Sequence, residues 1–159
     1  MRKNNKKEFK REKPEFEQKL VDLARVTRVT RGGKRLNFRA LVVLGNKKGK
    51  IGYGIAKGKD VTIAVSKAVE QAKKIMFEIQ IVNGTITHEI REKFNAACVM
   101  LKPAPKGTGL KAGGAIRVVL DLAGIENVVG KMMGSKNKIN NVACTYQALK
   151  NLKKPKEKK

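Results

Sequence analysis

Leu36-Asn-Phe-Arg-Ala-Leu-Val-Val-Leu-Gly-Asn-Lys-Lys-Gly-Lys-Ile-Gly-Tyr-Gly-Ile-Ala56 decides the fold of the first half of this chain. Leu36 to Leu44 is rich in Phe, Val and Leu, the side chains that suit a pleated, half-buried surface. Gly45-Asn-Lys-Lys-Gly49 supplies turn chemistry, and Lys50 to Ala56 resumes as a glycine-rich strand. Upstream, Arg25 to Arg31 alternates Val, Thr and Arg as a strand does, and Gly32-Gly33 breaks it in a turn. The three segments predict an antiparallel meander. Before them, Phe16, Leu20, Leu23 and Ala24 fall at helical spacing, so a short helix is expected over Glu15 to Arg25, with Pro14 in or just before its first turn. After them, Asp60 stands as N-cap to Val61, Ala64, Val65, Ala68, Val69, Ala72 and Met76, a clear helical stripe that should pack on the meander.

The second half opens a new unit. Gln80 to Thr87 reads as strand, Asn83-Gly84 turn and strand, and Ala96 to Lys102 is another apolar strand ended by Pro103. Pro103 to Gly114 is a loop of two prolines and four glycines. A helix over Ala115 to Ala123 closed by Gly124, a strand over Val128 to Met133 and a helix over Ile139 to Leu152 complete the pattern. The expected class is α+β in two small domains. Residues 1–14 form a flexible basic arm, 15–79 an α-β-β-β-α unit, 80–152 a β-β-β-α-β-α two-layer domain, and 153–159 a basic tail.

Charge says what kind of partner such a chain needs. Across 159 residues, 37 Lys and Arg face 13 Asp and Glu, a formal charge of +24. The arm and tail carry +5 and +4 of this, which leaves +15 on the folded middle. A compact chain so charged repels itself unless a polyanion neutralises it, and each cation placed on a phosphate releases counterions. A membrane fits less well: there is no run of about 18 apolar residues, and the first twenty residues lack the apolar centre of a signal peptide. A soluble, cytoplasmic protein is expected. Cys98 and Cys144 lie far apart in apolar surroundings, so two free buried thiols are expected.

Between Asp22 and Asp60 no acidic residue interrupts eleven cations. From this stretch the expected RNA-binding residues are Arg25, Arg28, Arg31, Gly32, Gly33, Lys34, Arg35, Lys47, Lys48, Lys50, Lys57 and Lys59. Arg31-Gly-Gly-Lys-Arg35 matters most, because glycines let backbone N–H groups approach phosphate oxygens beside charged side chains. A plain hairpin turn explains the glycines as well, though not the density of charge. Lys57 and Lys59 flank the start of the long helix, where a phosphate could sit, although simple capping by Asp60 is at least as good a reading of that residue. A second acid-free run, Lys93 to Leu120, holds a basic glycine loop whose Lys102, Lys106, Gly107, Thr108, Gly109, Lys111 and Arg117 serve RNA, a protein neighbour or both.

Catalysis finds no support. The phosphate-loop spacing Gly-x-x-x-x-Gly-Lys-Ser/Thr fails, since Gly109 to Gly114 continues into Ala115-Ile116. The two serines, Ser66 and Ser135, stand outside Gly-x-Ser-x-Gly, and the single histidine, His88, excludes a His-His metal pair. No active site, cofactor or metal is expected. Phe16, Phe38, Phe77, Phe94 and Tyr146 fall at positions suited to burial, so recognition should depend on RNA shape and phosphate positions rather than on base stacking. Tyr53 is the one plausible stacking residue, with core packing the better reading.

Several segments together resemble a known family. Arg31-Gly-Gly-Lys-Arg35, Ala40-Leu-Val-Val-Leu-Gly45, Gly49-Lys-Ile-Gly-Tyr-Gly54, Ala56-Lys57, Pro103-Ala-Pro-Lys-Gly-Thr-Gly-Leu-Lys-Ala-Gly-Gly-Ala-Ile-Arg117, Ala123-Gly-Ile125 and Gly134-Ser-Lys-Asn137 resemble, in order, bacterial small-subunit ribosomal protein number five. The likeness spans Phe16 to Leu152. It implies a double-stranded-RNA-binding-like first domain and a second domain with a left-handed crossover. It also implies a structural place on small-subunit ribosomal RNA where head meets body, beside ribosomal proteins four and eight and near the region where messenger RNA enters. By the same resemblance, Thr30 to Arg35 reaches the head and is linked to spectinomycin sensitivity, and Gly107 to Arg117 faces protein four, where changes loosen decoding accuracy. Two departures stand out: a lysine-rich end shorter than many relatives carry, and an arm unlike the family's variable start. The competing readings are a free-standing RNA chaperone or histone-like DNA binder, which would travel with nucleoid or bulk RNA, and an RNA-modifying enzyme, which would need turnover on ribosomal RNA.

Overall fold

The computed structural model describes residues 15–153; the arm expected over 1–14 and all of the tail beyond its first residue lie outside the described residues. The elements run β1 (Glu17–Thr30), β2 (Gly33–Gly45), β3 (Lys50–Gly58), α1 (Val61–Lys74), β4 (Phe77–Glu78), β5 (Ile90–Phe94), β6 (Ala97–Pro103), β7 (Leu110–Lys111), α2 (Gly114–Ala123), β8 (Val128–Gly134) and α3 (Lys138–Lys150). One sheet holds β1-β2-β3-β4 in sequence order, all antiparallel; the other has the order β5-β6-β8-β7, with only β7 and β8 parallel. The α+β class, the meander and the three later helices stand as expected.

The helix expected over Glu15 to Arg25 does not form. β1 begins at Glu17 and pairs with β2 down to Gly45. A register shift between Leu20 and Asp22 inserts one residue at Val21, so Leu20, opposite Val42, and Leu23, opposite Ala40, face the same side. A β-bulge thus turns the two-residue period of a strand into a three-residue spacing that imitates a helix. The second correction concerns Gln80 to Thr87, where only one bridge, Val82 to Thr85, closes around Asn83 and Gly84, both at positive φ. The order β-β-β-α-β-α survives with other strands filling it: β5 at Ile90–Phe94, and a two-residue β7 inside the expected loop.

Small residues set how α1 sits. Gly52, Gly54 and Gly58 on β3 meet the backbone of α1 at Ala72, Ala68 and Ala64, and those three alanines have no exposed surface. A Cβ at Gly54 would overlap the Ala68 carbonyl. On this face Ala40, Val42 and Leu44 complete a small core, while Leu41, Val43 and Ile51 point the other way into a larger one with Ile116, Leu120, Leu122 and Leu149. The first sheet is therefore covered on both faces, by α1 and by the helices of the second domain. That explains why Ala40 to Leu44 is buried without alternation.

The β2–β3 turn fastens the two halves. The Lys47 N–H donates to the Leu122 carbonyl at 3.0 Å and the Gly49 N–H to the Ala123 carbonyl at 2.9 Å, so one domain caps the last turn of a helix in the other. Asn46 Oδ1 holds the turn by accepting from the Lys48 and Lys50 N–H groups at 2.8 and 3.0 Å.

Candidate nucleic-acid interface

β3 pairs with β2 only from Phe38 onward, so the ends of β1 and β2 run on as a two-stranded ribbon with residues 27–36 all exposed. The five pairs from Val26–Asn37 to Thr30–Gly33 extend it by about 15 Å. A lone two-stranded ribbon has little to hold it. Val29, 73% exposed near its tip, shows that no core forms there. Arg28 and Arg35 stand directly opposite each other across the strands. Like charges in that position destabilise a free ribbon, and an anion between them reverses the sign.

Strand alternation sorts the other expected cations. Arg28 and Arg35 share the face that carries Arg39 and its neighbour Lys57. Arg25 and Lys34 lie on the opposite, α1-side face, and Arg31 with Gly32 forms the turn. The eleven cations are thus not one continuous surface. Those of the ribbon cover both faces of a thin blade, which RNA can contact from two sides. At its base Asp22 ties the domains together, meeting Arg39 at 3.8 Å and Lys138 at 3.0 Å.

Three expected positions are reassigned by geometry. Lys47 binds Glu17 at 2.7 Å, a hydrogen bond that raises its pKa, and its backbone caps α2, so it serves the domain junction. Lys57 points to the side of the sheet away from α1, so it does not share the α1 N-terminus with Lys59; Asp60 occupies the N-cap position without a side-chain cap bond. Tyr53 packs edge-on against Tyr146 at 4.9 Å, and Tyr146 in turn meets Phe77 at 4.7 Å. Tyr146 donates its hydroxyl to the Ile75 carbonyl, and burial raises both phenols above the ordinary tyrosine value. Tyr53 is an interdomain aromatic, not a base platform. Lys48 and Lys50 remain exposed on and beside the turn.

The glycine loop is held from behind by Asn127, a buried residue that no spacing pattern singles out. Asn127 Oδ1 accepts from the N–H groups of Gly107 and Gly109 at 3.0 and 3.1 Å, and its carbonyl accepts from Thr85 Oγ1 at 2.6 Å. Both glycines have positive φ, so the loop needs them for conformation. Their N–H groups point inward and are not free for phosphate. Lys106 stands exposed at the turn beside half-buried Thr108, Arg117 on the outer side of α2, and Lys102 and Lys111 on the open face of the second sheet. Replacing Asn127 by alanine is expected to destabilise the protein by about 1 kcal/mol or somewhat more, since two part-buried hydrogen bonds that shape the loop are lost. Hydrogen exchange should quicken at the Gly107 and Gly109 amides well before the core; unchanged exchange there would refute the role.

Among the described residues no group of three or more His, Cys, Asp or Glu is placed to hold a metal ion, and no helix is long and apolar enough to cross a membrane. Cys98 and Cys144 are both free thiols; Cys144 is buried, which raises its pKa, and Cys98 is only partly so.

Comparison with known proteins agrees in both halves. The family profile described as ribosomal protein S5, N-terminal domain, matches residues 16–80, and that of ribosomal protein S5, C-terminal domain, matches residues 92–159. Small ribosomal subunit protein uS5 of Thermotoga maritima is 46% identical over 143 residues, covering 90% of this chain and 80% of that relative. The proteins of the same name from Thermotoga petrophila and Thermotoga neapolitana match with the same identity and coverage.

Proposed function

Because this chain belongs to the ribosomal protein S5 family, we propose that it acts as a two-domain clamp on folded small-subunit ribosomal RNA, the ribbon entering the RNA and the fused domains holding its angle. Membership makes it a structural constituent of the small ribosomal subunit, at work where bacterial ribosomes are, in the cytoplasm. It binds ribosomal RNA and neighbouring ribosomal proteins and is not an enzyme.

In the finer reading the clamp sits where head meets body, near the region where messenger RNA enters. The ribbon, with Arg25, Arg28, Arg31, Lys34 and Arg35, reaches toward the head. The loop and helix face with Lys106, Thr108 and Arg117 meets protein four, and another side meets protein eight. The observation that carries this is Arg28 set opposite Arg35 on a ribbon beyond the core, a repulsive arrangement that an RNA backbone makes favourable. The rigid junction at Lys47, Gly49 and the end of α2 lets a force on one domain reach the other. Support for decoding accuracy follows as a population shift: a coupling of about 1–3 kcal/mol between subunit conformations is enough to change tRNA selection.

Sedimentation of salt-washed ribosomal subunits followed by mass spectrometry tests the assignment. The chain is expected in the small-subunit peak; recovery chiefly with nucleoid DNA or bulk RNA would support the free-standing binder instead.

A further inference from the structure

One flank of the first domain is uncovered. α1 packs over β3 and β2 and leaves β1, the edge strand of the sheet, almost untouched. Leu20 and Leu23 of β1 stand opposite Val42 and Ala40, which α1 buries, yet they remain 47% and 42% exposed. Val61, Val65 and Val69, spaced four residues apart on α1, form the facing wall, and none of them is fully buried. Between helix and strand runs an open trough, about 21 Å long by the rise of a helix of 14 residues. Beside Phe16, Leu44 and Met76 it widens into a recess of about 780 Å³. Its charge differs from that of its surroundings. Glu15, Glu17 and Glu70 line it against one lysine, Lys73, although Glu17 is engaged by Lys47; between Asp22 and Asp60 the domain has no acidic residue at all.

We propose that this trough is the docking site of the chain's own N-terminal segment, residues 1–13, with the Phe9 ring seated against Leu20 and Val65. The described part of the chain begins at Glu15, on the wall of the trough itself. Reach permits the contact. Phe9 lies six residues before Glu15, about 20 Å of extended chain. Leu20 lies five residues after Glu15, so a reversal at Pro14 brings Phe9 level with it. Leu20, Val42 and Gly54 share one row across the strands, and Gly54 meets α1 at Ala68, which sets Leu20 beside the middle of the helix, where Val65 and Val69 stand.

Chemistry chooses among the occupants. RNA phosphates would meet the carboxylates of Glu15 and Glu70, and a second copy would bring its own +15 of folded-domain charge against this one. The N-terminal segment matches both features of the walls. It carries one aromatic ring and seven Lys and Arg against two Glu. The long aliphatic stems of those cations lie along Leu20 and Leu23 while their charged ends reach Glu15 and Glu70. Covalent attachment keeps the segment at high local concentration, so a small contact is enough to hold it. The segment then completes the apolar flank of the first domain, independently of any contact with RNA, instead of trailing as a loose cationic tether.

The chain has no tryptophan, so Phe9→Trp in the full-length protein places a single reporter on the segment. In the native protein its emission is expected at shorter wavelength than in urea, with acrylamide quenching about threefold weaker, as for a ring removed from water. Adding Leu20→Ser with Leu23→Ser should return the quenching to the unfolded level while circular dichroism shows the fold intact, since both side chains are already largely exposed. Glu70→Lys should raise it in part at low salt. Should the double serine variant fail to fold, a nuclear Overhauser contact between the Phe9 ring and the methyl groups of Leu20 or Val65 in the unmodified chain reads the same docking directly, and its absence counts against it. Quenching equal in native and unfolded protein would overturn the proposal, as would protection that survives loss of both leucines in a folded chain. Protection that grows with protein concentration would give the trough to a second copy, and protection that appears only with added RNA or in assembled particles would give it to RNA or a neighbouring protein; either result would overturn docking by the chain's own segment.

Discussion

Replacing Gly54 by valine is expected to lower the stability of the protein by about 3–5 kcal/mol, against a total that for domains of this kind is about 5–15 kcal/mol. The obstacle is backbone, not a side chain that can turn aside: a Cβ at this position overlaps the carbonyl of Ala68, and its next contacts are the Ala68 carbonyl carbon and the Ala72 nitrogen. α1 must retreat from β3, which opens the contact of Ala64, Ala68 and Ala72 with Ala40, Val42 and Leu44. Overpacking a core ordinarily costs about 1–3 kcal/mol and occasionally more, and the larger cost is expected where the clash is with backbone and the helix must move as a body. Gly32→Ala is the control, because nothing lies within 4 Å of a Cβ there. Urea unfolding followed by circular dichroism measures both. A Gly54→Val midpoint equal to that of the parent chain would show that α1 does not sit as close as its alanines indicate.

The second large effect separates binding from stability. Arg28→Gln with Arg35→Gln should leave the free protein as stable as before or up to about 1 kcal/mol more stable, since a like-charge pair across the ribbon disappears. Affinity for small-subunit ribosomal RNA should fall about 100-fold or more, because hydrogen bonds to charged groups contribute about 1.5–3 kcal/mol each. The slope of log K against log salt should shrink by about 1.4–1.8 for two lost phosphate contacts. Opposite signs in the two measurements are the signature. If affinity were unchanged, the ribbon would not be an RNA contact; if stability fell in step with affinity, the arginines would be holding the fold.

Much of the fold was legible because it is written in local chemistry. Gly32-Gly33 and Gly45 to Gly49 place the turns, the Ala64, Ala68 and Ala72 stripe places a helix, and Gly124, at φ 84°, ends α2 where its position predicts. The leading helix failed for an equally local reason, the bulge at Val21 that gives Leu20 and Leu23 a helical spacing on a strand. Charge located the ribbon, but composition does not say which cations are free. Lys47 belongs to a junction with Glu17 and α2, and Asn127, which shapes the glycine loop from 18 and 20 residues away, leaves no periodic trace.

What the residues alone determined is the α+β class, the antiparallel meander with its helix, the large positive charge that demands a polyanion, and the order of motifs that marks the family. Each follows from side-chain type and short-range spacing. Only the tertiary structure decided that the two domains share a core through β2, that the glycines of β3 exist to admit α1, that the ribbon is cationic on both faces, and that the second sheet leaves one face open. These depend on which strands pair and in what register. A shift of one residue exchanges every inward side chain for an outward one, and contacts between segments far apart in the chain carry no local signature.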